Sequence, residues 1–173
     1  VELPDYEAIK SNLEKAGSLA KKYGQRLSTH PGQFNVLTSN TPRVVDNAID
    51  ELDKHGVMFD IMGLPKSPAA KINIHIGGAY GDRPSAMDRW YKNFERLSES
   101  TRARLTVEND DKPGLYSTKM LYENIVKRTA VPIVFDSHHF ACGPKDADYE
   151  ESFLMAVDSW PKGVRPQCHH SNS

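Results

Sequence analysis

The chain is expected to adopt an α/β fold with a parallel sheet, part of a (β/α)8 barrel with about five βα units. Three observations predict this. Apolar spacing switches repeatedly between helical and strand periods along the whole length. No strand is followed by the glycine-rich phosphate loop of a doubly wound sheet, because Gly77, Gly78 and Gly81 lack that spacing. Each predicted strand also runs into residues that can bind a metal ion.

Tyr6, Ile9, Leu13, Ala16, Ala20 and Tyr23 recur at three- and four-residue steps and predict a helix over 5–23, stopped by Gly24. A short strand over 26–29 follows and ends at His30-Pro31-Gly32. Thr41 as cap and Pro42 in the first turn open a second helix, with an inner stripe of Val45, Ala48, Ile49, Leu52, Phe59 and Met62 across an interior Gly56. Residues 71–76 alternate as a strand closed by Gly77-Gly78, and Pro84 starts a helix facing inward with Met87, Trp90, Tyr91, Phe94 and Leu97. A strand over 104–107 precedes a helix capped by Ser117 and carrying Met120, Leu121 and Ile125. Strand 132–135, helix 148–160 and strand 164–168 complete the order. Trp90 and Trp160 sit at helical spacing and are assigned to the core.

Residues 1–173 form a single domain, with no linker or low-complexity stretch. A closed barrel needs about 250 residues, so the chain is expected to be a fragment with units missing on both sides. No apolar run reaches the roughly 20 residues of a membrane span, and no signal-peptide pattern opens the chain. Only Cys142 and Cys168 occur, which excludes a disulfide framework and predicts reduced thiols in an intracellular, cytoplasmic setting. The formal net charge of -1 lacks the basic balance common in DNA-binding proteins.

His30, His75, Glu108, Asp136 with His139, and His169 lie at the carboxyl ends of the successive strands. That is the face where barrel enzymes build their sites. A single histidine there is ordinarily a satisfied rim or core side chain. Packing gives no reason to place ligand-type residues at the same end of five strands, and burying them together without a cation would cost several kcal/mol. Imidazole plus carboxylate suits zinc or manganese, with magnesium as a further option, and argues against iron–sulfur chemistry. Six candidates exceed one tetrahedral ion, so more than one divalent ion is expected, an arrangement that recurs in phosphodiester hydrolysis.

The segments His30-Pro31-Gly32-Gln33-Phe34, Ile74-His75-Ile76-Gly77-Gly78, Val107-Glu108-Asn109-Asp110-Asp111, Phe135-Asp136-Ser137-His138-His139 and Cys168-His169-His170-Ser171 occur in that order. Together they resemble the ultraviolet-damage endonucleases of the xylose-isomerase-like TIM barrel superfamily. The resemblance implies a metal-dependent hydrolase that nicks the DNA backbone beside ultraviolet or related lesions in repair. It implies His30, His75, Glu108, Asp136, His139 and His169 as metal ligands, with Glu108, Asp136 and His169 catalytic and manganese the first choice of ion. It also implies that Gln33 and Phe34 enter damaged double-stranded DNA and probe the lesion. Gly32 would let that loop turn tightly, and the Phe34 ring offers a face for unpaired bases.

Asn109 is placed in the DNA-facing set, while Asp110 and Asp111 are expected to orient water or a ligand or to cap the loop. Some relatives carry lysine where this chain has Gln167, so any role of that lysine is absent here. The resemblance further implies strands before Val1 and metal ligands after Ser173. His55 reads as a solvated helix position, Cys142 and Cys168 as non-nucleophilic, and His138 and His170 as neighbours of ligands that face substrate or support them. No membrane or protein partner is evident. The competing readings are a divalent-metal sugar isomerase or epimerase and an apurinic-site endonuclease, both on the same barrel, and a non-catalytic metal-binding fragment. A small sugar needs no Gln33-Phe34 wedge, which favours the nuclease.

Overall fold

The computed structural model describes residues 4–171. Helix α1 spans Tyr6–Lys22, and Gly24 turns the chain away with φ +62°. The expected apolar stripe holds only in its middle and later part: Ala20 is buried and Leu13 packs against the core, while Tyr6, Ile9 and Tyr23 are exposed and Gly17, outside the stripe, is buried. Gly17 lies so close to Met62 that a Cβ would stand 1.9 Å from the Met62 carbonyl oxygen, so α1 docks through its small residues. Helix α2, Pro42–Ile61, buries Val45, Ala48, Leu52, Gly56 and Phe59, much as its periodicity predicts. Thr41 makes no side-chain cap; Ser39 instead accepts a hydrogen bond from the Thr41 amide at 3.1 Å.

The sheet consists of β1 Ile72–His75, β2 Leu105–Glu108, β3 Ile133–Asp136 and β4 Cys168–His169, all parallel and in sequence order. A doubly wound sheet would reverse direction at a switch point; this one does not, as in one arc of a barrel. The strand expected over 26–29 is a single bridge, Thr29 to Ile72. The Thr29 amide donates to the Lys71 carbonyl and its carbonyl accepts from the Asn73 amide, and two residues on Pro31 has no amide with which to extend the ladder, while the Arg26 side chain donates to the carbonyls of Pro68, Ala69 and Arg165. The strand expected over 164–168 is likewise confined to Cys168–His169.

Between strands lie α3 Arg83–Phe94, capped by Asp82, and the short α4 Glu99–Arg102. After β2, the helix capped by Ser117 is not uniform: α5 Thr118–Leu121 widens into a π turn over Tyr122–Val126 before α6 Lys127–Thr129. Helix α7, Ser137–Cys142, was not foreseen and follows β3 directly; α8 spans Tyr149–Asp158. Trp90 and Trp160 are buried, as their spacing predicts, and His55 is half-buried beside Glu51. Among the described residues no helix is long and apolar enough to cross a membrane.

Side chains alternate along each strand. Ile72 and Ile74 of β1 and Leu105 and Val107 of β2 belong to the apolar core. The intervening Asn73, His75, Thr106 and Glu108 pair in register, Asn73 with Thr106 and His75 with Glu108. One face of the sheet therefore meets the helices, and the other carries a polar row that ends at the strand carboxyl termini.

Candidate metal centre

Glu108, the last residue of β2, stands at the middle of this polar row with only 1% exposure. Its Oε2 is 3.0 Å from Nε2 of His30, and its Oε1 is 3.0 Å from Nδ1 of His169 and 3.4 Å from Nδ1 of His139. His75 completes the group: its ring centroid lies 5.7 Å from that of His30 and 5.3 Å from that of His139. Two triads share the one carboxylate. In His30–Glu108–His169 and in His75–Glu108–His139, the potential ligand atoms lie within 4.8 Å of one another.

The outer hydrogen bonds of the rings are fixed. His75 Nδ1 lies 3.0 Å from Asp110 Oδ1, and His139 Nδ1 lies 2.9 Å from the Asn109 carbonyl oxygen. Those bonds leave Nε2 of each ring as the nitrogen available to a cation, the usual way a ligand histidine is oriented. The donor set, imidazoles around a buried carboxylate, fits divalent metal ions. Burial alone would raise the Glu108 carboxyl, but hydrogen bonds from His169 and His30 and the nearby imidazole charges hold it well below the usual carboxylate range. Burial pushes His75 down, yet the hydrogen bond and charge of Asp110, with Glu108 and Asp111 behind, leave it raised.

Asp136 is adjacent rather than central. Its Oδ1 caps α7 by accepting from the His139 amide at 2.8 Å, and its Oδ2 lies 3.7 Å from His169 Nδ1. The cap explains why His139, in the first turn of α7, is brought back over the centre. Asn109 does not join Gln33 and Phe34. Its buried amide is taken up by the backbone of Asp136, donating to the carbonyl at 3.0 Å and accepting from the amide at 2.8 Å. It binds β2 to β3.

Gln33 and Phe34 are exposed, Phe34 at 80%, on the wall of a cleft of about 1010 Å³ that reaches His75 and His139. Phe34 thus does not pack beneath its own loop. His170 meets Ser137 Oγ at 2.8 Å, and Cys142 and Cys168 are exposed free thiols. Sequence reasoning missed Asn73, which donates to Glu108 Oε2 while accepting from Thr106 Oγ1 at 2.7 Å. Its position two residues before His75 on one strand was the available signal, since period two puts both on one face.

Comparison with known proteins agrees with this geometry. The chain is 37% identical over 158 residues to the UV DNA damage endonuclease of Bacillus velezensis, covering 90% of this chain and 48% of the relative. It thus spans about half the length of the curated relatives it matches. The crystal structure of SacUVDE superposes with a TM-score of 0.89 at 29% identity, covering all of this chain and 57% of the other. A D-psicose 3-epimerase from Clostridium cellulolyticum H10 shares the fold, with a TM-score of 0.67 at 13% identity over 94% of this chain and 58% of its own. With these barrel neighbours the parallel arc is a partial (β/α)8 barrel. The model of the UV-endonuclease UvdE family matches residues 3–173, and the chain belongs to that family.

Proposed function

We propose that the intact protein is a metal-dependent endonuclease that hydrolyses the phosphodiester backbone of double-stranded DNA beside ultraviolet or related lesions, inside the cell. The observation that carries this reading is the pair of ligand triads sharing Glu108 at the end of a cleft whose wall exposes Gln33 and Phe34. His30, Glu108 and His169 would hold one divalent ion and His75, Glu108 and His139 a second, with Asp136 beside them; manganese is the proposed ion, ahead of zinc or magnesium. Such ions supply charge to the phosphoryl oxygens and acidify water.

The residues of the chain do the positioning. Glu108 fixes the spacing of the triads, Asn73 holds its carboxylate, and Asp110 and the Asn109 carbonyl set two imidazoles. In hydrolysis a water oxygen bonds to phosphorus, the bond to the leaving oxygen breaks, and one proton moves from the attacking water to the leaving group. Asp136 and His169, 3.7 Å apart, are the pair proposed to carry that proton.

A shared fold with a sugar epimerase at 13% identity supplies no competing site argument, and an exposed phenyl wedge suits a polymer better than a free sugar. The test is incision of irradiated, apurinic and undamaged duplexes by the product of the complete reading frame, with metal analysis and manganese, zinc or magnesium added back after chelation. Nicking that favours the irradiated duplex and returns with metal is expected. Turnover of a free ketose with no nicking would reject the reading.

A further inference from the structure

We propose that Tyr80 forms a second aromatic wall of the cleft beside Phe34 and stacks on a nucleobase displaced at the lesion. The inference rests on the nuclease reading and adds a recognition residue to it.

Neither packing nor turn chemistry accounts for tyrosine at this position. The ring is 51% exposed, so the core does not require it. Its backbone has φ +52° and the next residue, Gly81, has φ +77°, inside a turn closed by the Asp82 amide donating to the Ala79 carbonyl at 3.0 Å. Two successive left-handed residues are ordinarily supplied by asparagine or glycine, and an aromatic there is uncommon. An exposed aromatic maintained in a disfavoured conformation beside a proposed reactive centre points to a ligand.

The surroundings present the ring and hold it. Gly78 lies beneath it, where a Cβ would stand 3.0 Å from the ring carbons. The guanidinium of Arg89 lies 5.5 Å from the ring centroid, and its Nε donates to the Thr38 carbonyl at 2.7 Å. Thr38 belongs to the loop that carries Phe34, and its hydroxyl donates to the Ile76 carbonyl at 3.2 Å. Gly77 closes the contact, since a Cβ there would meet Val36 and Thr38 at 2.7 and 2.6 Å. The loops bearing Phe34 and Tyr80 are thus fastened together through Thr38 and Arg89, and both rings line the cleft that reaches His75 and His139. An exposed ring with a cation 5.5 Å from its centroid is a sequence-tolerant platform for a base.

The experiment uses the product of the complete reading frame, loaded with metal. Binding is measured by fluorescence anisotropy on a duplex with one cyclobutane dimer and on its undamaged counterpart, with 2-aminopurine beside or opposite the lesion. Tyr80→Asn removes the ring but suits the left-handed backbone; Tyr80→Phe keeps the ring. Tyr80→Asn is expected to lose roughly tenfold or more in affinity for the damaged duplex and to alter the 2-aminopurine signal, with metal content unchanged. Tyr80→Phe is expected to bind as the parent does. As an independent measure, Tyr80→Trp should show tryptophan quenching on adding damaged duplex, beyond that of the buried Trp90 and Trp160 in the parent. Parental affinity in Tyr80→Asn, an equal loss in Tyr80→Phe, or no added quenching in Tyr80→Trp would overturn stacking while leaving the nuclease reading intact. A parent that neither prefers nor cuts damaged DNA would instead remove the reading on which the inference rests.

Discussion

His75 at the end of β1 and Asp110, two residues beyond the end of β2, are joined by a 3.0 Å contact between Nδ1 and Oδ1. Asp110 is itself buried, and its other oxygen faces the Tyr116 amide at 3.4 Å. The carboxylate therefore fixes both the ring plane of His75 and the loop after β2. Outer partners of this type are worth about 10- to 100-fold in metal affinity. Asp110→Asn is expected to weaken metal binding by that order without changing the number of ions bound at saturation, as measured by competition with a chromophoric chelator. His75→Ala should lose more, because it removes a proposed ligand rather than its support.

The same carboxylate predicts opposite pH responses for the stripped and loaded protein. His75 is raised from 6.5, so its bond to Asp110 stabilises the metal-free fold fully below that value and is lost as pH rises through the raised one. Glu108 is depressed from 4.5, so its contribution is present above 4.5 and lost only as pH falls through the lowered value. Thermal scans of chelated protein should therefore show these contributions together between about pH 4.5 and 6.5, with a fall above it. Metal-loaded protein should gain stability across that upper range, because protons no longer compete for the imidazoles. Identical profiles with and without metal would contradict the centre.

How far the molecule was legible from its residues depends on which interactions are periodic. The strand-end cluster was legible because successive predicted strands repeat one chemical choice at one position, and the structure brings His30, His75, Glu108, His139 and His169 together. The core tryptophans followed from helical spacing in the same way. The engagement of Asn109 with the Asp136 backbone was not legible, since it follows from the register of β2 against β3 and not from the residues beside it. Helix α7 is too short for a period, and its cap, Asp136, also read as a ligand. The first strand shrinks to the Thr29 bridge, because a strand-like pattern over 26–29 does not say how many of its residues find a partner on β1.

Gly143 supplies a steric prediction. A Cβ there would stand 2.1 Å from the Asp110 carbonyl oxygen and 2.8 Å from that of His139. Both obstacles are backbone, and both belong to the centre. Gly143→Ala must push α7 away from the loop after β2, at an overpacking cost of about 1–3 kcal/mol. Lower thermal stability and weaker metal binding are expected together. Gly114→Ala, with nothing within 4 Å of the added carbon, should change neither by more than about 0.5 kcal/mol.

As proposed lesion contacts, Gln33 and Phe34 would separate recognition from the chemistry. Both are exposed, and neither belongs to the two triads, so replacing them should leave the metal content intact. Base–aromatic stacking is worth on the order of 1–3 kcal/mol, and 1.4 kcal/mol is a factor of ten. Phe34→Ala should therefore weaken binding to damaged duplex by roughly tenfold or more. A lesion leaves its bases weakly stacked, so a wedge has less to overcome there and the loss should be larger on damaged than on intact DNA. Gln33→Ala should follow the same pattern with a smaller loss, near the roughly 0.5–1.5 kcal/mol of one hydrogen bond. Binding and incision by the two variants on irradiated and undamaged duplexes decide the matter. If both nick irradiated DNA as the parent does, the loop after residue 30 is no wedge, and discrimination must reside elsewhere on the cleft.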